Sequence, residues 1–182
     1  WTARDVGYVR IKVNTATGDY ANIGNLRIGA RTARPKLKRT AFPAKTTFRL
    51  TARHSQKALT TTSAANGTPL AQTTWDRKTT QKWTLVPTGD GYFKIRNTAT
   101  RTLLETAALS RADGGPTDIW TDADAPQQHW AITPTGDGYH LLTNRFSGLA
   151  LNVDAASTAD NATINQWAYQ NAPQQQWQIT GV

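Results

Sequence analysis

Apolar residues in this chain gather in short segments where hydrophobic and polar positions alternate or briefly run together, separated by stretches rich in Gly, Pro, Asn and Thr. Phe93-Lys94-Ile95-Arg96 and Tyr139-His140-Leu141-Leu142 have this character, as do Lys82 to Val86 and Trp130 to Thr133. A period of two places alternate side chains on opposite faces of an extended chain, so each segment predicts a β-strand. Asp90-Gly91 and Asp137-Gly138, just ahead of two of these segments, favour tight hairpin turns. No convincing helical periodicity interrupts the pattern. The expectation is an all-β protein.

The strands recur as a set. Seven tryptophans are present, and six fall into three pairs: Trp75 with Trp83, Trp120 with Trp130, Trp167 with Trp177. The second member of each pair ends a Gln-x-Trp triplet: Gln81-Lys82-Trp83, Gln128-His129-Trp130 and Gln175-Gln176-Trp177, spaced by 47 residues. Between the second and third copies no gap is needed: Thr88-Gly89-Asp90-Gly91-Tyr92 recurs as Thr135-Gly136-Asp137-Gly138-Tyr139, Leu104 as Leu151 and Trp120 as Trp167. In the first copy Phe48, Leu50 and Leu59 align with Phe93, Ile95 and Leu104, and two residues are missing, placed between Trp75 and Gln81. A unit of this size cannot bury an apolar face alone. Three units closed around a pseudo-threefold axis can, and closure also removes exposed sheet edges. Trp83, Trp130 and Trp177 are then expected at equivalent core positions.

Charge changes the picture less than its total suggests. Of the formal net charge of +9, residues 1–45 carry +8, from ten Lys/Arg against Asp5 and Asp19. The remainder of the chain is nearly neutral, so no basic face interleaved with aromatics is available for nucleic acid. With no cysteine there are no disulfides, thiolate metal sites or cysteine nucleophiles. No apolar run approaches membrane-spanning length. The chain starts at Trp1 and contains no Met, which suggests a processed product or a segment cut from a longer protein.

Three Gln-x-Trp triplets at this period resemble the ricin-B-type β-trefoil lectins, the architecture of the family-13 carbohydrate-binding modules. The resemblance covers roughly residues 45–182, with lobes at about 45–86, 87–133 and 134–182. It implies a shallow sugar pocket in each lobe: a carboxylate after the first apolar strand, an aromatic farther on, and polar groups beside Gln-x-Trp. Carried over position by position, the carboxylate position falls on Thr60, Glu105 and Asn152, and the aromatic on Trp75, Trp120 and Trp167. The residue two before the aromatic is Thr73, Asp118 and Asn165, and the late polar pair is Thr80-Gln81, Gln127-Gln128 and Gln174-Gln175. No lobe keeps Asp at the anchor. The carbohydrate-binding candidates are therefore Asn152, Asn165, Trp167, Tyr169, Asn171 and Gln174 in the third lobe, and Glu105, Asp118, Trp120 and Gln127 in the second. Against this stands a purely structural reading, in which Trp75, Trp120 and Trp167 only pack, since repetition is also what a threefold core requires.

No catalytic constellation is present. The chain has a single Glu, its three histidines lack metal-ligand spacing, and no serine sits in a nucleophile elbow. The Thr-Gly-Asp-Gly-Tyr copies read as turns, and Asp122-Ala123-Asp124 as solvated loop carboxylates rather than a calcium site. No cofactor is expected. Val6 to Val13 and Ala21 to Ile28 read as two strands within residues 1–30, followed by a basic linker over 31–44. These strands either close a preceding jelly-roll domain or form an N-terminal hairpin-like extension of the trefoil. The combined expectation is a secreted, lectin-like module without catalysis, binding a sugar or polysaccharide and joined to a catalytic domain of a larger carbohydrate-active protein. The other reading is a trefoil that serves as a structural or protein-interaction domain, with the basic segment docking an acidic partner.

Overall fold

The computed structural model describes residues 42–182. The two strands expected within residues 1–30, and the basic linker as far as residue 41, lie outside the described residues. Short strands follow one another as the period-two segments predict: β1 (Thr47–Ala52), β2 (Ala58–Thr60), β3 (Thr68–Pro69), β4 (Ala71–Thr73), β5 (Trp83–Pro87), β6 (Phe93–Asn97), β7 (Leu103–Thr106), β8 (Thr117–Trp120), β9 (His129–Pro134), β10 (His140–Asn144), β11 (Ala150–Val153), β12 (Ala162–Trp167) and β13 (Gln176–Gly181). One-turn 3-10 segments at Thr79–Gln81, Pro126–Gln128 and Pro173–Gln175 carry the Gln of each triplet.

Six strands close on themselves in the order β1, β5, β6, β9, β10, β13 and back to β1, every pairing antiparallel. Closure leaves this barrel without an edge. The hairpins β2–β4, β7–β8 and β11–β12 gather at one end. They are tied to one another by β3–β8, by β4–β12 and by a bridge between Pro116 and Asn165. Each lobe thus contributes two barrel strands and one hairpin, and the chain is a β-trefoil.

The core follows the repeat. Trp83, Trp130 and Trp177 are fully buried, as are Leu50, Ile95 and Leu142 one layer away and Leu59, Leu104 and Leu151 under the hairpins. A buried indole N–H must find an acceptor. Each one donates to a carbonyl in its own lobe's hairpin, Leu59, Leu104 or Leu151, at 3.0 Å every time. At the other end of the barrel Phe42 lies edge-on against Phe48 and Phe93 and beside His140, with ring centroids 5.5, 5.6 and 5.9 Å away. Those three are one repeat position, so a single ring outside the repeat fills the axis.

The Thr-Gly-Asp-Gly-Tyr turns have a second role that the sequence alone does not reveal. Arg145, from the third lobe, pairs with Asp90 at 2.6 Å and lies over the Tyr92 ring. Arg53, from the first lobe, pairs with Asp137 and lies over Tyr139. Each turn is thus latched to the next lobe around the axis. The charges are substantially exposed, so each latch contributes modestly.

Truncating one of the triplet tryptophans removes a large buried ring and orphans a buried carbonyl. Trp130→Ala is expected to lower the unfolding free energy by about 3–5 kcal/mol, read from the urea midpoint at unchanged slope. Trp83→Ala and Trp177→Ala are expected to cost similar amounts.

Candidate functional site

The Gln of each triplet shapes the surface above the core tryptophan. Gln81, Gln128 and Gln175 are buried, and each side chain bridges both sides of one residue in the loop that follows the hairpin. The amide nitrogen donates to the carbonyl of Thr74, Thr121 or Ala168 at 2.7 to 2.9 Å. The amide oxygen accepts from the backbone N–H of Asp76, Ala123 or Gln170 at 2.8 to 3.0 Å. A buried amide satisfied at both ends fixes the loop's path as firmly as a ladder pairing does. The clamp therefore sets which residue of each copy occupies which place.

Strand register corrects one sequence expectation. Trp120 lies opposite Leu103 and Trp167 opposite Ala150, whereas the first-lobe residue opposite Ala58 is Thr73. The anchor pairs are Glu105 with Asp118, Asn152 with Asn165, and Thr60 with Ala71. Trp75 therefore does not belong with Trp120 and Trp167, nor Thr73 with Asp118 and Asn165. Trp75 takes the place of Asp122 and Tyr169, and the Arg49 guanidinium lies 5.1 Å from its ring centroid. The two missing residues of the first copy fall earlier than the Trp75–Gln81 loop. The backbone N–H groups of Gly67, Gly114 and Asn161 donate to the equivalent carbonyls of Ile119, Gln166 and Gln72, so the 47-residue spacing is already restored at Gly67. The gap lies between Thr60 and Gly67.

The three lobes consequently differ. In the third, Asn152, Trp167 and Gln174 line a depression of roughly 200 Å3 together with Ala155, Ala156, Gln170 and Gln175. Asn152 donates to Asn165 at 2.7 Å, and Asn165 donates on to Asp154 at 2.9 Å. Tyr169 and Asn171, both sequence candidates, bond to each other and to Gln176 instead, and do not line the depression. Both lie past the end of β12 at Trp167, where strand alternation no longer sets side-chain direction, in the loop that Gln175 clamps at Ala168 and Gln170. Ala155 and Ala156 were not anticipated. Both hold left-handed backbone, with φ of 49° and 50°, as do Ala108 and Leu109 in the second lobe. Alanine gives no sequence signal for such a turn.

In the second lobe the same strand face carries Glu105, Asp118 and Trp120. Alternation along β8 places Asp118 and Trp120 together, with Ile119 turned into the core. Trp120 is 42% exposed, while Asp118 and Glu105 are each 7% exposed. Gln128 donates to Glu105 at 2.8 Å. One carboxylate oxygen of Asp118 is buried without a partner. Burial, and secondarily the charge of Glu105, push the Asp118 carboxyl up to about 7. Burial also raises Glu105, against the Gln128 hydrogen bond. Gln127 is half-buried at the repeat position of Gln174. Nearby, Asp122 and Asp124 hold Lys94 at 2.9 and 2.8 Å rather than standing free in solvent, and Arg96 joins Asp122.

In the first lobe a depression of roughly 390 Å3 is lined by Thr60, Thr61, Thr62, Thr73, Asp76, Lys78, Thr80, Gln81 and Asn161, with no aromatic. Thr73 stands at the place of Trp120 and Trp167, and the neighbouring lobe differs with it. A side-chain atom added at Gly67 would come 3.7 Å from the Trp120 ring, and one at Gly114 3.4 Å from Trp167. Both glycines have positive φ, so each indole lies over bare backbone of the preceding lobe. Where the indole is replaced by Thr73, the glycine is replaced by Asn161.

The family profile of the ricin-type beta-trefoil lectin domain-like proteins matches residues 40–120, 79–167 and 126–182. The chain belongs to this family. No curated protein sequence matches. Among solved structures, the chain is similar to the designed threefold-symmetric protein ThreeFoil, at 34% identity and a TM-score of 0.74, covering 75% of this chain and 99% of that one. It is similar to an exo-beta-1,3-galactanase from Clostridium thermocellum at 32% identity and a TM-score of 0.75, covering 78% of this chain but only 31% of the galactanase. The Rhizoctonia solani agglutinin shares the fold, with 19% identity and a TM-score of 0.70 over 78% of this chain and 98% of that one. Lectin-like trefoils of this family are generally non-catalytic, and membership of the family supports carbohydrate binding in general terms.

The raised Asp118 carboxyl gives stability a pH dependence of definite sign. It keeps its proton up to about pH 7 when folded but loses it near 3.8 once unfolded. Asp118 therefore weakens the fold increasingly as pH rises through that window. Asp118→Asn is expected to match wild type below about pH 4 and to gain on it up to neutrality, by at most about 1.4 kcal/mol per pH unit. Urea titrations of both proteins across the window provide the check. His140, which burial holds below the usual histidine range, contributes the opposite slope but is common to both proteins.

Proposed function

We propose that the chain is a carbohydrate-binding module that engages glycan through its third and second lobes, in that order, while the first is inactive. A sugar offers flat C–H patches edged by hydroxyls, so a site needs an aromatic face beside short polar groups held in fixed directions. The observation that carries this reading is the repeated cross-strand arrangement: Trp167 beside Asn152 and Asn165, and Trp120 beside Glu105 and Asp118, each indole over glycine backbone. The first lobe has neither aromatic nor amide at these positions.

Affinity for a single sugar is expected to be low in the third lobe. Its polar pair is uncharged, and a neutral hydrogen bond contributes about 1 kcal/mol against about 1.5–3 for one to a charged group. Two sites on one rigid trefoil raise avidity for a polymer that can reach both. The similarity to one part of a much longer galactanase supports a targeting role within a larger, secreted carbohydrate-active protein.

Affinity electrophoresis in soluble polysaccharides, following a glycan array, tests the reading. The chain is expected to be retarded by particular glycans, and the Trp120→Ala/Trp167→Ala variant, shown to melt cooperatively, to run freely. Trp75→Ala is expected to bind as wild type does, because that ring lies under Arg49 away from the depressions. Failure of every glycan to retard the chain would leave the trefoil a protein-interaction or structural domain.

A further inference from the structure

The two aromatic lobes share one backbone and differ in charge. In the third lobe the cross-strand pair is Asn152 and Asn165, and the donor chain ends on Asp154, so the amide groups are matched in sequence. In the second lobe the same register places Glu105 opposite Asp118, and the position of Asp154 is Ala107. Two carboxylates, which when ionised only accept, therefore face one another with a single side-chain donor, Gln128, serving Glu105. Asp118 is more than nine-tenths buried and one of its oxygens has no partner. It projects to the strand face that carries Trp120, whose ring is the most exposed of the trefoil's repeated tryptophans.

We propose that the second lobe is specific for an amino sugar, its protonated primary amine seated on Glu105 and Asp118 with the sugar's C–H face on Trp120. The assignment rests on the carbohydrate-binding reading of this face and specifies what the second lobe adds to it. An ammonium supplies three donors and one positive charge where the protein leaves acceptors and up to two negative charges. A hydroxyl supplies a donor and no charge. The indole face favours the same sign of charge. Burial, and secondarily the Glu105 charge, raise the Asp118 carboxyl, and a bound cation opposes that rise. The other cations nearby are already committed: Lys94 and Arg96 pair with Asp122 and Asp124. A divalent metal fits less well. Calcium takes about six to eight oxygens, and among the described residues no group of three or more His, Cys, Asp or Glu side chains could hold one.

The third lobe supplies the variant. Glu105→Asn/Asp118→Asn gives the second lobe the pair that the same backbone already holds in the third, so the fold is expected to survive. Asp118→Asn alone is the milder version. Isothermal titration of the full chain with short glucosamine oligomers, and with N-acetylglucosamine oligomers of equal length, reads the preference. Wild type is expected to favour the free amine by about tenfold or more, from charge-assisted hydrogen bonds. Both variants are expected to lose that preference while still melting cooperatively. Equal binding of the two oligomer series by wild type overturns the proposal, as does a preference that survives in the double variant. Binding of free-amine oligomers that is abolished by EDTA and restored by calcium also overturns it, in favour of a metal-bridged site. If glycan retardation sensitive to Trp167→Ala persists while the amine preference is absent, the module remains a lectin and only this assignment fails. If no glycan is retarded at all, both fail together.

Discussion

Three buried indole N–H groups, each with one carbonyl within reach, hold this trefoil in register. The indole sits in a barrel strand and the carbonyl in the hairpin that caps the same lobe, so the bond ties the two layers together. Beside it the triplet Gln, two residues before the Trp, clamps the loop that leaves the hairpin. Barrel, hairpin and loop are thus fixed relative to one another by a three-residue segment. The hairpin's outer face, where the candidate site lies, inherits that rigidity at no separate entropic cost.

The same constraint explains what could be read from residue order. Gln-x-Trp is legible because a buried amide and indole tolerate few substitutes at positions that must satisfy both backbone and core. The strands and the closure follow from its period, whereas the pairing of Glu105 with Asp118 and Asn152 with Asn165 comes from the strand register. Trp75 shows where the reading fails. A large aromatic near the expected place is a strong lure, and a two-residue gap can be placed on either side of it without breaking any motif. Only hydrogen-bond register, through Gly67, Gly114 and Asn161, distinguishes the two placements. Tyr169 and Asn171 lie outside the third-lobe depression for a related reason. Proximity in sequence to Trp167 does not fix the direction a side chain takes once the hairpin ends. Ala155 and Ala156 were invisible, since their contribution is a backbone conformation and not a chemistry.

The lobes illustrate how one backbone accommodates three surfaces. The third carries a self-satisfied amide chain, the second an acceptor-rich acidic pair, and the first a wide threonine-lined hollow. Apart from the two-residue gap between Thr60 and Gly67, the differences lie in side chains that point outward from the hairpin, while the inward set of Trp, Leu and Ile barely changes. Among the described residues, the acidic pair is buried with one side-chain donor between its two members, so the outer face of the second lobe costs stability as pH rises towards neutrality.

Gly67 and Gly114 extend this beyond single lobes. Trp120 and Trp167 each rest on backbone from the lobe before, although the residues lining the third-lobe depression are all its own. A single lobe released from the chain would lose the backbone beneath its indole, and three identical copies assembled in a ring would restore it, each supporting its neighbour. Where the aromatic is replaced, at Thr73, the matching backbone position is Asn161, which keeps the left-handed conformation of Gly67 and Gly114.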